Sequence, residues 1–411
     1  MTPGPGKTKW NVPASEIARN TNNPIRNIVE NLRLDPNPDK PLIALSIGDP
    51  TVFGNLLPSP EVLDAVRESL GSLRYNGYAP SVGYIEAREA VARYSSSVDV
   101  TVDPKDVLLC SGCSGALDLC ITALANPGQN ILVPRPGFSI YRTLAEGLGI
   151  KVKSYNLKPE RGWMVDLDHL EEQCDEETAA IIINNPSNPC GSVFNREHLF
   201  DILEVARRNF LPIIADEIYE HMVFPGKEFH SLGSLSLEVP VLSCSGLTKR
   251  LVFNSFDVIT DHDRQEVRKG LQRLSQRIIG SNTLVQGALP AILKNTPQEF
   301  YYNTLCILQN NALVAFEMLK NIEGLRPVMP EGAMYIMCFD YPGYMRLVLS
   351  VPEEQLREAC HRIANYCARH FTINSISPYL VQRKHSLPCP TQAQPTLTTI
   401  STKAGGIEDD M

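Results

Sequence analysis

Leu211-Pro-Ile-Ile-Ala-Asp-Glu-Ile-Tyr219 is the stretch that decides the fold. Its first half is short and continuously apolar, as expected of a strand covered on both faces rather than of one with a wet side. It runs directly into Asp216 and Glu217, and a carboxylate at the end of a buried strand costs free energy unless a partner compensates it. The same form recurs on both sides. Residues 107–109, 130–133, 152–155, 179–183 and 239–242 are apolar runs of strand length, and residues 115–124, 195–208 and 264–278 carry helical periodicity between or after them. This alternation predicts an α/β fold, a mostly parallel sheet sandwiched by helices. In such sheets ligands bind just beyond the carboxyl ends of the strands, so the residues that follow each strand become the candidates for function.

Toward the N-terminus, residues 25–34 suggest a helix and residues 41–48 a short strand closed by a turn at Gly48. Ser59-Pro60-Glu61 opens a further helix, with Ser59 as its cap and Pro60 at the first helical position. Beyond residue 300 the pattern predicts a helix over 301–320, strands near 333–337 and 345–351, and a helix over 352–367. Residues 380–411 are rich in Pro, Thr, Gln and Ser with little apolar content, and read as a disordered tail.

Composition narrows the partners. The 411 residues include 38 Lys and Arg against 46 Asp and Glu, a formal charge of -8. Nucleic acid and anionic membranes both need a positive surface, and neither is expected here. The eleven cysteines follow no framework. Together with a polar N-terminus and the lack of any apolar run near 20 residues, they predict a reduced, cytoplasmic protein. No metal-ligand spacing stands out.

Two short motifs carry little. Gly6-Lys7-Thr8 resembles the end of a phosphate loop, but no strand precedes it and the upstream glycine is missing. Cys110-Ser-Gly-Cys113 has redox spacing but sits at a helix entry without a second pair. The strand ends say more. Asp216 follows one strand and Tyr219 lies a short turn beyond it. The strand over 179–183 leads into Asn184-Asn-Pro-Ser-Asn188-Pro-Cys-Gly, a loop fixed by two Asn-Pro pairs whose Asn188 can bond a ligand oxygen. The strand over 239–242 leads to Lys249, an amine that becomes a nucleophile where it loses its proton. Ser111-Gly-Cys-Ser114-Gly115 opens a helix with small residues and free backbone N–H groups, which suits a phosphate. Phe138 can stack on a planar ring. A phosphate cup, a stacking ring, an acid for a ring nitrogen, donors for a ring oxygen and a lysine together describe a pyridoxal phosphate site.

On these residues, and on Asn22-Asn-Pro-Ile-Arg26, the run 45–56, the run 75–84, the run 124–138 and Gly332-Ala-Met-Tyr335, the chain resembles the class I, fold-type-I pyridoxal-phosphate aminotransferases, most nearly their tyrosine aminotransferase branch. The resemblance covers most of residues 10–370. It implies a tyrosine-to-2-oxoglutarate transamination through a Schiff base on Lys249, with pyridoxal 5'-phosphate as the cofactor and amino and 2-oxo acids as small-molecule partners. Asp216 would face the ring nitrogen, Asn188 and Tyr219 the ring hydroxyl, and Phe138 the ring face. Ser114, Gly115 and Ala116 would hold the phosphate, helped by Tyr78 from across a homodimer interface. Arg346, with Gly48 and Asn188, would bind the substrate, its guanidinium suited to a bidentate carboxylate. The implied domains are a large cofactor domain over 75–298 and a small α+β domain made from both chain ends, 1–74 and 299–379.

The chain departs from the family pattern twice. Eight positions past the lysine, where the family carries an arginine that grips the phosphate, stands Asp257. One lost charge-assisted contact is worth roughly 1.5–3 kcal/mol. After Met337, where the family continues with a further helix and strand, the sequence passes almost at once into Phe339-Asp-Tyr-Pro342. This second departure predicts a small domain short of buried apolar surface and an Arg346 away from its station. The alternative that both departures imply is an aminotransferase fold with impaired or lost turnover.

Overall fold

Alternate residues of the central strands point to opposite faces, and both faces are dry. In the computed structural model Ile181, Ile183 and Ile213 pack with Leu199 and Ile202 on one side, while Ile182 and Ile214 pack with Leu117 and Ile121 on the other. This is why the strand segments read as unbroken apolar runs. Each fully buried side chain of this kind contributes about 1.5–3 kcal/mol. The structure describes residues 10, 12–33, 37–96, 101–251, 257–261, 265–278, 280–339 and 343–370. The motif at Gly6-Lys7-Thr8 and the tail expected over 380–411 lie outside these.

The strands are β1 Val107–Cys110, β2 Asn130–Arg135, β3 Lys151–Lys158, β4 Met164–Val165, β5 Thr178–Asn184, β6 Ile213–Glu217, β7 Val241–Gly246, β8 Asp257–Asp261, β9 Arg326–Val328, β10 Tyr335–Phe339 and β11 Met345–Val348. The helices of the first half are α1 Glu16–Asn20, α2 Pro24–Asn31, α3 Pro60–Gly71, α4 Ile85–Ser95, α5 Gly112–Leu124, α6 Ile140–Gly147 and α7 Leu167–Gln173. Those of the second half are α8 Arg196–Arg208, α9 Leu232–Leu235, α10 Leu247–Leu251, α11 Gln265–Ser275, α12 Thr283–Asn295, α13 Gln298–Leu319 and α14 Glu353–His370.

Eight strands form the larger sheet in the order β1-β8-β7-β6-β5-β2-β3-β4. Pairs β3/β2, β2/β5, β5/β6 and β6/β7 are parallel. β8 enters antiparallel between β7 and β1, with the backbone of Asp257 in register with both Cys110 and Gly246. No strand is evident there from sequence, because only Val258 and Ile259 of the five residues are apolar. A smaller antiparallel sheet, β11-β10-β9, packs on α13 and α14.

Residues 41–48, expected as a strand, join no sheet. Leu45 O accepts from Val348 N over 3.1 Å, and Leu42 is left 61% exposed. Ser59 does cap α3, accepting from Val62 N at 3.4 Å. The apolar deficit expected after Met337 does not appear among the described residues. Met337 is fully buried with Trp163 on the larger sheet, Tyr344 packs edge-on against the Trp163 ring, and Asn311 Nδ2 ties α13 to Leu349 O and Val351 O at 2.8 and 2.7 Å. No helix among the described residues is long and apolar enough to cross a membrane.

Candidate active site

The parallel strands β5, β6 and β7 deliver their last residues to one end of the sheet, and the first turn of α5 meets them there. Asp216, next to last in β6, is 2% exposed. Burial pushes its carboxyl above the ordinary range; bonds from Tyr141, Ile218 N and Cys113 pull the other way without reversing the shift. The Tyr141 hydroxyl donates to Oδ2 at 2.5 Å and the Cys113 thiol, in the first turn of α5, to Oδ1 at 3.6 Å. The carboxyl is thus held in one orientation, beside the helix entry that carries Ser114, Gly115 and Ala116.

That entry fits an anion. Ser111 makes no side-chain cap bond to the helix, and Gly112 has φ +73, a left-handed turn that lets the backbone wrap. Ser114 is exposed, and a Cβ on Gly115 would meet nothing nearer than Cys110 Cβ at 3.9 Å, so the opening is clear of side chains. Phe138, half-buried, lies edge-on to Tyr141 with centroids 6.0 Å apart.

From Asp216 a continuous chain of bonds reaches the smaller sheet. Asn184 Nδ2 donates to Asp216 O at 3.0 Å, and Asn184 Oδ1 accepts from Asn188 N at 2.6 Å. Asn188 Oδ1 in turn accepts from Arg346 Nη1 at 3.0 Å, and Arg346 Nη2 donates to Ser46 O at 2.5 Å. The expectation that the shortened segment displaces Arg346 is therefore overturned: β11 pairs directly with β10 and presents the guanidinium to the end of β5. Lys249, in the short helix after β7, donates from Nζ to Gly48 O at 2.9 Å. Burial pushes the neighbouring Asp49 carboxyl up, but bonds from Thr51 and the Lys249 charge outweigh it, and its net shift is down. Tyr219 is buried, and its hydroxyl lies 2.8 Å from that of Tyr335.

Lys249, Asp216, Asn188, Tyr219, Arg346, Gly48, Phe138 and the helix entry thus converge. Tyr78 does not join them; it is 85% exposed on the loop before α4. Tyr141 joins them with no signal in the sequence, since it sits inside a helix and acts on a side chain far along the chain; Asn184, Cys113 and Tyr335, already quoted within motifs, make contacts here that the motifs did not assign to them. Arg250 does not turn to the helix entry. Its guanidinium is wedged between the Tyr94 and Tyr301 rings, 5.0 and 3.9 Å from their centroids, and burial lowers its pKa to about 10.

The donor set fits pyridoxal phosphate: an amine, a fixed buried acid, a phenol and a helix N-terminus whose Gly112 and Gly115 are uncrowded, joined by one series of contacts. Known proteins agree with the geometry. Residues 40–340 match the model of aminotransferase class I and II. The tyrosine aminotransferase of Homo sapiens is 50% identical over 405 residues, covering 89% of each chain, and that of Dictyostelium discoideum 40% identical, covering 88% of this chain and 97% of its own. The crystal structure of the tyrosine aminotransferase from Leishmania infantum superposes with a TM-score of 0.83 at 30% identity, covering 89% of this chain and all of that one. An alanine aminotransferase from Pyrococcus furiosus superposes at 0.80 with 27% identity. Sequence match, fold and site geometry agree that the chain belongs to the class I and II aminotransferases, a family of pyridoxal-phosphate-dependent enzymes.

Proposed function

We propose that this chain is a tyrosine aminotransferase, moving the amino group of L-tyrosine to 2-oxoglutarate with pyridoxal 5'-phosphate held at the opening between β6, β7 and α5. The observation that carries the reading is the unbroken relay from Arg346 through Asn188 and Asn184 to Asp216, which fixes a carboxylate clamp and a ring-nitrogen acid relative to one another. The 50% identity to a tyrosine aminotransferase over most of both chains supports tyrosine as the amino donor.

When bound, the cofactor supplies an electron sink that acidifies the substrate Cα–H. The protein residues do the rest. Lys249 would hold the cofactor through its amine and, as a free amine, would carry the proton at the substrate carbon. Asp216, kept in place by Tyr141, holds the positive charge on the ring nitrogen. Tyr219 donates to the ring hydroxyl and Asn188 joins it from the adjacent loop. Ser114, Gly115 and Ala116 offer backbone donors to the phosphate, and Phe138 covers one ring face. Arg346 clamps the substrate carboxylate with the donors that Asn188 and Ser46 leave free. Tyr78, exposed in the single chain, reaches the phosphate of a partner in a homodimer. Residues 1–74 and 299–379 form the small domain that carries the clamp, residues 75–298 the large domain that carries the cofactor, and the cytoplasm is the working compartment.

The test is product formation. Chain incubated with pyridoxal phosphate, freed of excess and given L-tyrosine and 2-oxoglutarate yields 4-hydroxyphenylpyruvate and glutamate, and Lys249→Ala abolishes it. Absence of product, or equal product from Lys249→Ala, overturns the proposal.

A further inference from the structure

Tyr335 touches three of the residues assigned to the site from sequence, Tyr219, Arg346 and Gly48. It begins β10, is 3% exposed, and belongs to the smaller sheet. Its hydroxyl lies 2.8 Å from the Tyr219 hydroxyl, with the two rings edge-to-face at 5.8 Å and 87°. The Arg346 Cζ stands over its ring, 4.5 Å from the centroid. Its hydroxyl also fills the space where a side chain on residue 48 would begin: a Cβ added to Gly48 would collide with Oη and two ring carbons. Gly48 in turn receives the Lys249 amine on its carbonyl.

We infer that Tyr335 is a positioning residue of this site, its hydroxyl donating to Tyr219 so that the Tyr219 proton is aimed at the cofactor's ring oxygen, and its ring face seating the Arg346 guanidinium. The inference rests on the proposed function for its first half only. A phenol has one proton. A Tyr219 that spends its proton on Tyr335 has none left for a ligand, so the pair serves the site in one sense alone, Tyr335 donor and Tyr219 acceptor. Hydrogen bonds in series also polarise one another, which strengthens the second. The ring does separate work. Arg346 uses one donor on Asn188 and one on Ser46, and the aromatic face below holds the plane of the guanidinium so that the remaining donors face outward together. Gly48 then has a reason beyond the turn it closes: any side chain there would push the Tyr335 hydroxyl off Tyr219.

Two variants separate the two roles. Tyr335→Phe keeps the ring and loses the hydroxyl; Tyr335→Leu loses both. In the cofactor-loaded protein, the pH midpoint of the bound cofactor's absorption band reports how strongly its ring oxygen is stabilised by Tyr219. Tyr335→Phe raises that midpoint by roughly half to one pH unit. Binding of 3-(4-hydroxyphenyl)propionate, measured by calorimetry with and without cofactor, reports the Arg346 seat. Tyr335→Phe binds it as the parent does, and Tyr335→Leu binds it roughly three- to thirtyfold more weakly. An unchanged midpoint in Tyr335→Phe overturns the hydroxyl role. Equal affinity in Tyr335→Leu, or no binding by the parent chain, overturns the ring role. A parent chain that binds the propionate but retains no cofactor band refutes the proposed function and leaves the ring role to be decided by the propionate affinities alone.

Discussion

The Tyr141 hydroxyl donates to Asp216 Oδ2 across 2.5 Å inside the larger sheet's helical cover, with both side chains at 2% exposure or less. Burial holds the phenol well above its ordinary pKa, so it remains a donor throughout the working range. The ionised carboxylate that a ring nitrogen requires depends on this bond. In Tyr141→Phe the charge on Asp216 loses a donor worth about 1.5–3 kcal/mol, and cofactor affinity falls roughly ten- to a hundredfold. Titration with pyridoxal phosphate, followed by absorbance, checks it.

Arg346 is placed by a side chain and a main-chain carbonyl, and among the described residues no carboxylate pairs with it, which leaves its charge for the substrate. Arg346→Lys keeps the charge but loses the fork, and kcat/KM for both L-tyrosine and 2-oxoglutarate falls by about one to two orders of magnitude. Steady-state kinetics with each substrate varied in turn are the check; a loss confined to one substrate contradicts a shared clamp.

Asp257 begins β8 with its backbone in register with Cys110, immediately before the helix entry, and with Gly246, three residues before Lys249. The family pattern puts an arginine at this position, and an aspartate there supplies no cation for a phosphate. Asp257→Arg is expected to tighten pyridoxal phosphate binding by about ten- to a hundredfold. Competition dialysis against the parent chain measures it.

Glu217, the last residue of β6, is 2% exposed. Burial, reinforced by the nearby Glu220, lifts its carboxyl from 4.5 to about 8, against bonds from Leu232 N, Ser231 and Ser243. The folded chain therefore holds a proton that the unfolded chain has released between about pH 4.5 and 8. By linkage stability falls as pH rises through that window, by up to about 1.4 kcal/mol per unit. Glu217→Gln, whose Oε1 can still accept from Leu232 N while its Nε2 donates to the Ser231 hydroxyl, flattens the dependence. Urea unfolding at pH 5, 6.5 and 8 distinguishes the two profiles.

The sequence revealed the site residues that follow strands and missed those that support them. Asp216, Asn188 and Lys249 could be found because a polar group just past an apolar strand needs an explanation and the fold rule supplies one. Tyr141 and Tyr335 have no such signature; each lies within a regular element and acts on a neighbour distant in the chain, which no periodicity encodes. β8 was illegible for a similar reason. Its place depends on two strands already present, not on its own two apolar residues. Residues 41–48 misled in the opposite direction, with strand-like composition but, among the described residues, only a single backbone–backbone bond to β11.

The insertion of β8 also sets an order of assembly. As the chain emerges from its N-terminus, β5, β6 and β7 find their neighbours as they are made, whereas β1, synthesised before all of them, has no ladder until residues 257–261 arrive. Such distant pairing is slow, because the loop must be closed before any bond rewards it. The helix entry that follows β1 therefore waits on β8, and a polypeptide halted before that strand would carry the lysine on an open edge, with Tyr335 and Arg346 still to be made.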